Sequence, residues 1–139
     1  ILGAIAYQEN DTVLHTDASV LPKKRAAWAS WNYHIPETEI GRVAITYDMN
    51  ILQGLEAPVE FCVSLNPLQA AASDKVIQRM VYHHPIYTPQ SLAARRRYDE
   101  INGQNRTFFC GAYWYYGFHE DGVKSALAVG KHFGKGRIG

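Results

Sequence analysis

The chain has 139 residues, of which 47% are apolar and 19% charged, and its formal net charge is +1. That length suits one domain with a real core, the composition excludes a disordered chain, and a near-neutral balance supplies no field to draw nucleic acid or an acidic membrane. No apolar run approaches the roughly 20 residues a bilayer span needs, so a soluble, cytoplasmic protein is expected.

Ile1 to Ala6 are apolar, and Gln8-Glu9-Asn10-Asp11 reads as a polar turn leading into a short β-type run, Thr12 to Thr16. His15 and Asp17, two apart, can share a strand face; a structural pair is favoured there over a catalytic dyad. Asp17 to Arg25 contains Pro22 and three consecutive cations, Lys23, Lys24 and Arg25, and reads as a solvated loop. Trp28 to His34 reads as a strand with both faces covered, and Pro36 to Gly41 as a turn. Arg42 to Met49 alternates cleanly, with Val43, Ile45, Tyr47 and Met49 on one face, as expected of a half-buried strand. Asn50 to Pro58 reads as a loop and Val59 to Leu65 as the next strand. Strands with such short connections are expected to be antiparallel neighbours.

Ala70 to Asp74 fits a helical turn or a loop. The β-branched Val76, Ile77 and Val81, with Tyr82, favour a strand over Lys75 to His84. His83 and His84 then point to opposite faces and cannot share a metal ion, and no other His, Cys or carboxylate pair stands at a metal-ligand spacing, so no metal is expected. Thr88-Pro89 marks a helix start and Asn102-Gly103 its stop. Arg95, Arg96 and Arg97 cannot share one helix face and read as solvated. Thr107 to Ala112 suits a buried strand, Tyr113 to Gly122 an aromatic turn, and Gly122 to Gly134 an amphipathic helix with Glu120 and Asp121 at its favourable acidic end. Cys62 and Cys110, both in apolar runs, are expected to be buried free thiols. The fold class is α+β: a mainly antiparallel sheet with two helices, closed by a C-terminal strand-turn-helix. A Gly-x-Ser-x-Gly elbow, a Walker loop and a Gly-x-Gly-x-x-Gly fingerprint are all absent, and no nucleophile is evident.

Several longer motifs occur in one order: Tyr7-Gln8-Glu9-Asn10, Leu14-His15-Thr16-Asp17, Leu21-Pro22, Ala27 to Tyr33, Thr46 to Asn50, Phe109 to Trp114 and Gly117 to Gly122. Together they resemble the bacterial NAD/FAD-binding proteins of the flavin-containing amine oxidase superfamily, relatives of which occur beside or fused to cyclopropane fatty acid synthases. The resemblance implies the C-terminal portion of an FAD-dependent oxidoreductase that passes a hydride from substrate to flavin and is not competent alone, the glycine-rich dinucleotide-binding unit being outside this stretch. The opening Ile1-Leu2-Gly3 lies in mid-pattern, as a piece of a longer chain would. The implied organisation is 1–87 as part of a substrate-domain-like antiparallel region, 88–106 as a connecting helix, and 107–139 as the last strand and helix of an FAD domain.

By the same resemblance, Glu120, Asp121, Gly122 and Val123 would face the flavin N1 and C2 carbonyl region, with Gly111 and Ala112 at the cofactor's approach. Reduced flavin is negative there, which suits a helix N-terminus. The resemblance fixes no catalytic residue; His119 and Tyr113 are the candidates it leaves. The implied partner is a small-molecule substrate, with lipid-related chemistry as one option. The competing expectation is a non-catalytic α+β module, including a homodimer paired through exposed apolar surface.

Overall fold

Three of the strands place polar residues on one face and apolar residues on the other, and it is the polar face that is buried. The computed structural model describes residues 1–38 and 41–134. Five strands, β1 (Tyr7–His15), β2 (Trp31–His34), β3 (Ala44–Asp48), β4 (Cys62–Leu65) and β5 (Val76–Pro85), form one antiparallel sheet in the order β2-β3-β4-β1-β5. The helices are α1 (Met49–Gln53), α2 (Pro89–Arg95), α3 (Tyr98–Ile101) and α4 (His119–Lys131). The α+β class with a mainly antiparallel sheet is thus observed. The chain divides into two compact units, one comprising Glu9–His83 and the other Ile1–Gln8 with His84–Gly139.

In the Glu9–His83 unit the register sets the faces. Asn32 lies opposite Thr46 and His34 opposite Ala44; Thr46 lies opposite Ser64 and Asp48 opposite Cys62; Val13 and His15 then meet Ser64 and Cys62 from β1. Apart from the half-buried His34, each of these named residues is buried. The other face carries Trp31, Tyr33, Ile45, Tyr47, Val63 and Leu65, and its two β2 aromatics are 53% and 59% exposed. This overturns two expectations. The β2 strand is not covered on both sides, and the best-buried face of β3 is Ala44, Thr46 and Asp48, while Val43 is exposed. Hydrogen bonding within the polar face removes the desolvation cost that ordinarily drives such residues outward.

Other departures have local causes. The expected turn over Gln8 to Asp11 is continuous strand, because Asn66 occupies its polar groups: Nδ2 donates to Asn10 Oδ1 (2.8 Å), and Oδ1 accepts from the Asp11 amide (3.1 Å). The end of the expected strand at Met49 and the start of the expected Asn50 to Pro58 loop form α1, capped by Asp48 Oδ1, which accepts the Ile51 N–H at 3.0 Å. The start at Thr88 is as expected, with Thr88 Oγ1 and Ser91 Oγ each accepting the other's backbone N–H. The helix breaks after Arg95, so one expected helix becomes α2 and α3. The ambiguous run before His84 is strand, and Ser73–Lys75 is a short 3-10 turn. The expected turn at Pro36 to Gly41 includes Glu39 and Ile40, which lie outside the described residues.

Ser64 is the centre of the polar face, hydrogen bonded on both sides (below). Ser64→Ala removes one oxygen and strands two buried partners, each costing about 1–3 kcal/mol. Tyr33→Ala removes a whole ring that is mostly in water, for less than about 1 kcal/mol. Urea unfolding midpoints are therefore expected to fall further for Ser64→Ala than for Tyr33→Ala; the reverse order would contradict a polar core.

Candidate functional site

In the Ile1–Gln8/His84–Gly139 unit, the segment before α4 does not form the expected strand. Thr107 to Cys110 is irregular, followed by a 3-10 turn over Ala112–Trp114. Its backbone groups are taken by side chains instead of a neighbouring strand. Asn102 Oδ1 accepts the Phe109 N–H (2.7 Å), Ser125 Oγ accepts the Gly111 N–H (2.9 Å), and Trp114 Nε1 and Arg95 Nε donate to the Phe109 and Trp114 carbonyls. With these partners satisfied there is no unpaired ladder for a strand to fill. Cys110, expected inside a strand, is consequently exposed, whereas Cys62 is buried as expected; both are free. Arg95 is likewise not a solvated cation, since its guanidinium lies 5.3 Å from the Tyr87 ring centroid and 5.8 Å from that of Tyr116.

The residues singled out from sequence fall in this unit as follows. Helix α4 begins at His119, three residues earlier than expected, with Glu120 and Asp121 in its first turn. Asp121 Oδ2 accepts the N–H groups of Tyr116 (3.0 Å) and Phe118 (3.2 Å), so this carboxylate fixes the turn into the helix. Glu120 and Val123 are exposed, Gly122 is half-buried, and a Cβ built on Gly122 would meet nothing within 4 Å. At Gly111, by contrast, a Cβ would run into the Tyr113 ring; the chain's own aromatic fills that space. Ala112 is half-buried. Gly117, at φ +90, is required by the Tyr87 hydroxyl, 2.6 Å from where its Cβ would be. Tyr113 lines an apolar cavity of about 210 Å³ with Leu2, Ile5 and Tyr7, and burial raises its phenol pKa above the ordinary value. His119 is exposed at the first position of α4.

The polar face of the sheet supplies a second constellation, which the sequence reading did not assemble. The Asp17 amide N–H donates to His15 Nδ1 at 3.1 Å. A nitrogen that accepts has no proton of its own, so neutral His15 carries its proton on Nε2 and donates to Ser64 Oγ at 2.9 Å. Ser64 stands 2.7 Å from Thr46 Oγ1, and Thr46 3.0 Å from His34 Nε2. Four side chains from β1, β4, β3 and β2 therefore form one line across the sheet. Burial lowers the pKa of both imidazoles, at His15 against the opposing pull of Asp17.

Asp17 and His15 are the structural pair favoured from their spacing, but through the backbone amide. The Asp17 carboxylate is committed elsewhere, accepting from the Ala72 amide (2.9 Å), the Ser19 amide (3.1 Å) and Lys75 Nζ (3.3 Å). Those bonds hold its pKa far below the usual carboxylate range, the Ala72 amide contributing most. At the other side of the face, Asp48 Oδ2 is buried without a hydrogen-bond partner, and the neighbouring Glu60 is pushed up toward its protonated form, first by burial and then by Asp48. Burial, reinforced by Asp48, lifts the Cys62 thiol to about 12, leaving it inert as a nucleophile. The available sequence signal was a polar residue between apolar neighbours at Thr46 and Ser64, and one after an apolar pair at His15; only register aligns them.

No protein-family model matches this chain, and no curated protein matches it. Among the described residues, no helix is long and apolar enough to cross a membrane, and no three His, Cys, Asp or Glu side chains gather to hold a metal ion.

The two histidines set a pH dependence. Their folded pKa values lie below the ordinary 6.5, so their contribution to stability is complete above that value and is lost as pH falls below it, because the unfolded chain takes up protons that the folded chain refuses. Asp17 adds a lower window: its contribution is present above 3.8 and is lost as pH falls further. The urea midpoint is expected to drop between pH 7.5 and 5.5, and to drop less in His34→Gln. Equal midpoints at the two pH values in the parent chain would contradict neutral buried imidazoles.

Proposed function

We propose that this chain is the C-terminal portion of an FAD-dependent oxidoreductase of the amine oxidase type, incomplete as a catalyst by itself. The reading starts from the ordered motifs that resemble that superfamily. The observation that carries it is Gly122. Glycine in a helix interior costs about 1 kcal/mol relative to alanine, and here none of the described residues occupies the space it leaves. An outside group packed on the first turn of α4 gives that glycine a purpose. Gly111 adds no support, because Tyr113 accounts for its missing side chain.

The residues that would hold a flavin edge are Glu120, Gly122 and Val123 on the open first turn of α4, with Asp121 fixing the approach of the chain through Tyr116 and Phe118. When bound, a flavin supplies acceptance of a hydride from a substrate carbon. This chain's part is electrostatic: N–H groups and the positive end of a thirteen-residue helix favour negative charge at that edge. Tyr113 and His119 remain the candidates for touching the substrate, a small molecule. The mostly exposed Trp31 and Tyr33 on the apolar sheet face support the alternative, a non-catalytic module that pairs with a second copy.

Quenching of flavin fluorescence tests the first reading. FMN and FAD are expected to bind with similar, weak affinity, ADP not to compete, and Gly122→Leu to abolish quenching while leaving the circular dichroism spectrum unchanged. Gly122→Ala is expected to raise the stability of the isolated chain by up to about 1 kcal/mol. Absence of quenching by either flavin overturns the proposal, and a concentration-dependent dimer in sedimentation would then favour the alternative.

A further inference from the structure

His34 ends the line of hydrogen bonds that starts at the Asp17 amide, and it borders open space. We propose that His34 is the anchoring donor of a binding site for a small carboxylate, its Nδ1–H fixed as the donor by the hydrogen-bonded line Asp17 N–H, His15, Ser64 and Thr46. This site is independent of the flavin reading and lies in the Glu9–His83 unit.

The first bond sets the roles of His15, and the single proton on each buried hydroxyl, which needs an acceptor, sets the rest. A backbone amide can only donate, so His15 Nδ1 accepts and His15 Nε2 donates to Ser64. The Ser64 oxygen, receiving that proton, sends its own to Thr46 Oγ1 at 2.7 Å, and Thr46 sends its own to His34 Nε2 at 3.0 Å. Each hydroxyl gives once and receives once. Reversing the bonds between Ser64 and His34 would leave the Ser64 proton without the Thr46 acceptor, in a buried setting where an unpaired donor costs about 1–3 kcal/mol. His34 is thereby held in the less common tautomer, with Nε2 accepting and Nδ1 protonated.

The surroundings select the ligand. His34 and Thr46 line a cavity of about 140 Å³ whose other walls are Val20, Pro67, Leu68 and Gln69. His34, Val20 and Gln69 also border a broader cleft of about 480 Å³ whose lining includes Leu21, Lys23 and Asn32. Among the described residues neither lining contains an acidic side chain, while each contains an imidazole and an amide, and the cleft adds an ammonium. Apolar walls with donors and a cation but no anion suit a carboxylate on a short apolar body. His34 touches the ligand; His15, Ser64 and Thr46 act through it as positioning residues.

The test is nitrogen-15 NMR of the imidazole rings in the full chain. His15 is expected as the Nε2–H tautomer and His34 as the Nδ1–H tautomer, and isobutyrate is expected to shift the His34 Nδ1 signal saturably in the millimolar range. Isobutyramide, its neutral isostere, is expected to bind at least fivefold more weakly, and Lys23→Gln to narrow that difference. Thr46→Ser keeps the His34 tautomer, whereas Thr46→Val releases it. An Nε2–H tautomer at His34 in the parent chain overturns the proposal without any variant; a shift that does not saturate removes the site, and equal binding of the amide removes the carboxylate assignment.

Discussion

A single bond, the Asp17 N–H to His15 Nδ1, sets the hydrogen-bonding sense of the buried face of the sheet. His15, Thr46 and Ser64 are each at most 2% exposed, and each leaves an uncompensated buried polar atom if its neighbour is removed or reversed. Hydrophobic burial does not specify register strongly on such a face, since apolar contacts tolerate sliding. A line of four directional bonds spanning β1, β4, β3 and β2 does specify it, because a slip of one residue turns every member to the opposite face. The Asp17 carboxylate extends the same control outward, tying the Ala72 and Ser19 amides and Lys75 to the end of β1.

The opposite face of the sheet has a different character. Trp31 packs edge-on against Tyr47 at 5.5 Å, yet it and Tyr33 remain mostly in water. A sheet that buries its polar side and exposes aromatic rings is arranged for contact with something apolar on the aromatic side. Both functional readings use this: a larger flavoenzyme covers the face with the rest of its chain, and a module covers it with a second copy. In the Ile1–Gln8/His84–Gly139 unit, the open side of Gly122 raises the same question on a smaller scale.

Local chemistry made part of this legible in the sequence. Thr88-Pro89 declared a helix start because a hydroxyl and a proline serve the same unpaired amides, and the β-branched residues of β5 declared a strand despite their ambiguous period. Features decided by distant partners were not legible. Thr107 to Ala112 has the composition of a strand, but Asn102, Ser125 and Arg95 take its backbone bonds. The apolar alternation of β3 marked the side with the buried Ile45 but not the equally buried polar side, because nothing local announces that Thr46 will meet Ser64 and His34. Of the candidate site, the acidic first turn of α4 was readable, while the line from His15 to His34 depends on register across four strands and appears only once they are paired.

Observation of the hydroxyl protons of Ser64 and Thr46 by NMR tests the buried line most directly. A hydroxyl in water exchanges too fast to be seen at neutral pH, whereas one that donates to a fixed acceptor in a dry layer persists. Two resolved hydroxyl resonances are predicted, with cross-peaks from the Ser64 hydroxyl to the His15 ring and from the Thr46 hydroxyl to the His34 ring. Absence of both signals, in a folded chain at neutral pH, would contradict a hydrogen-bonded polar core.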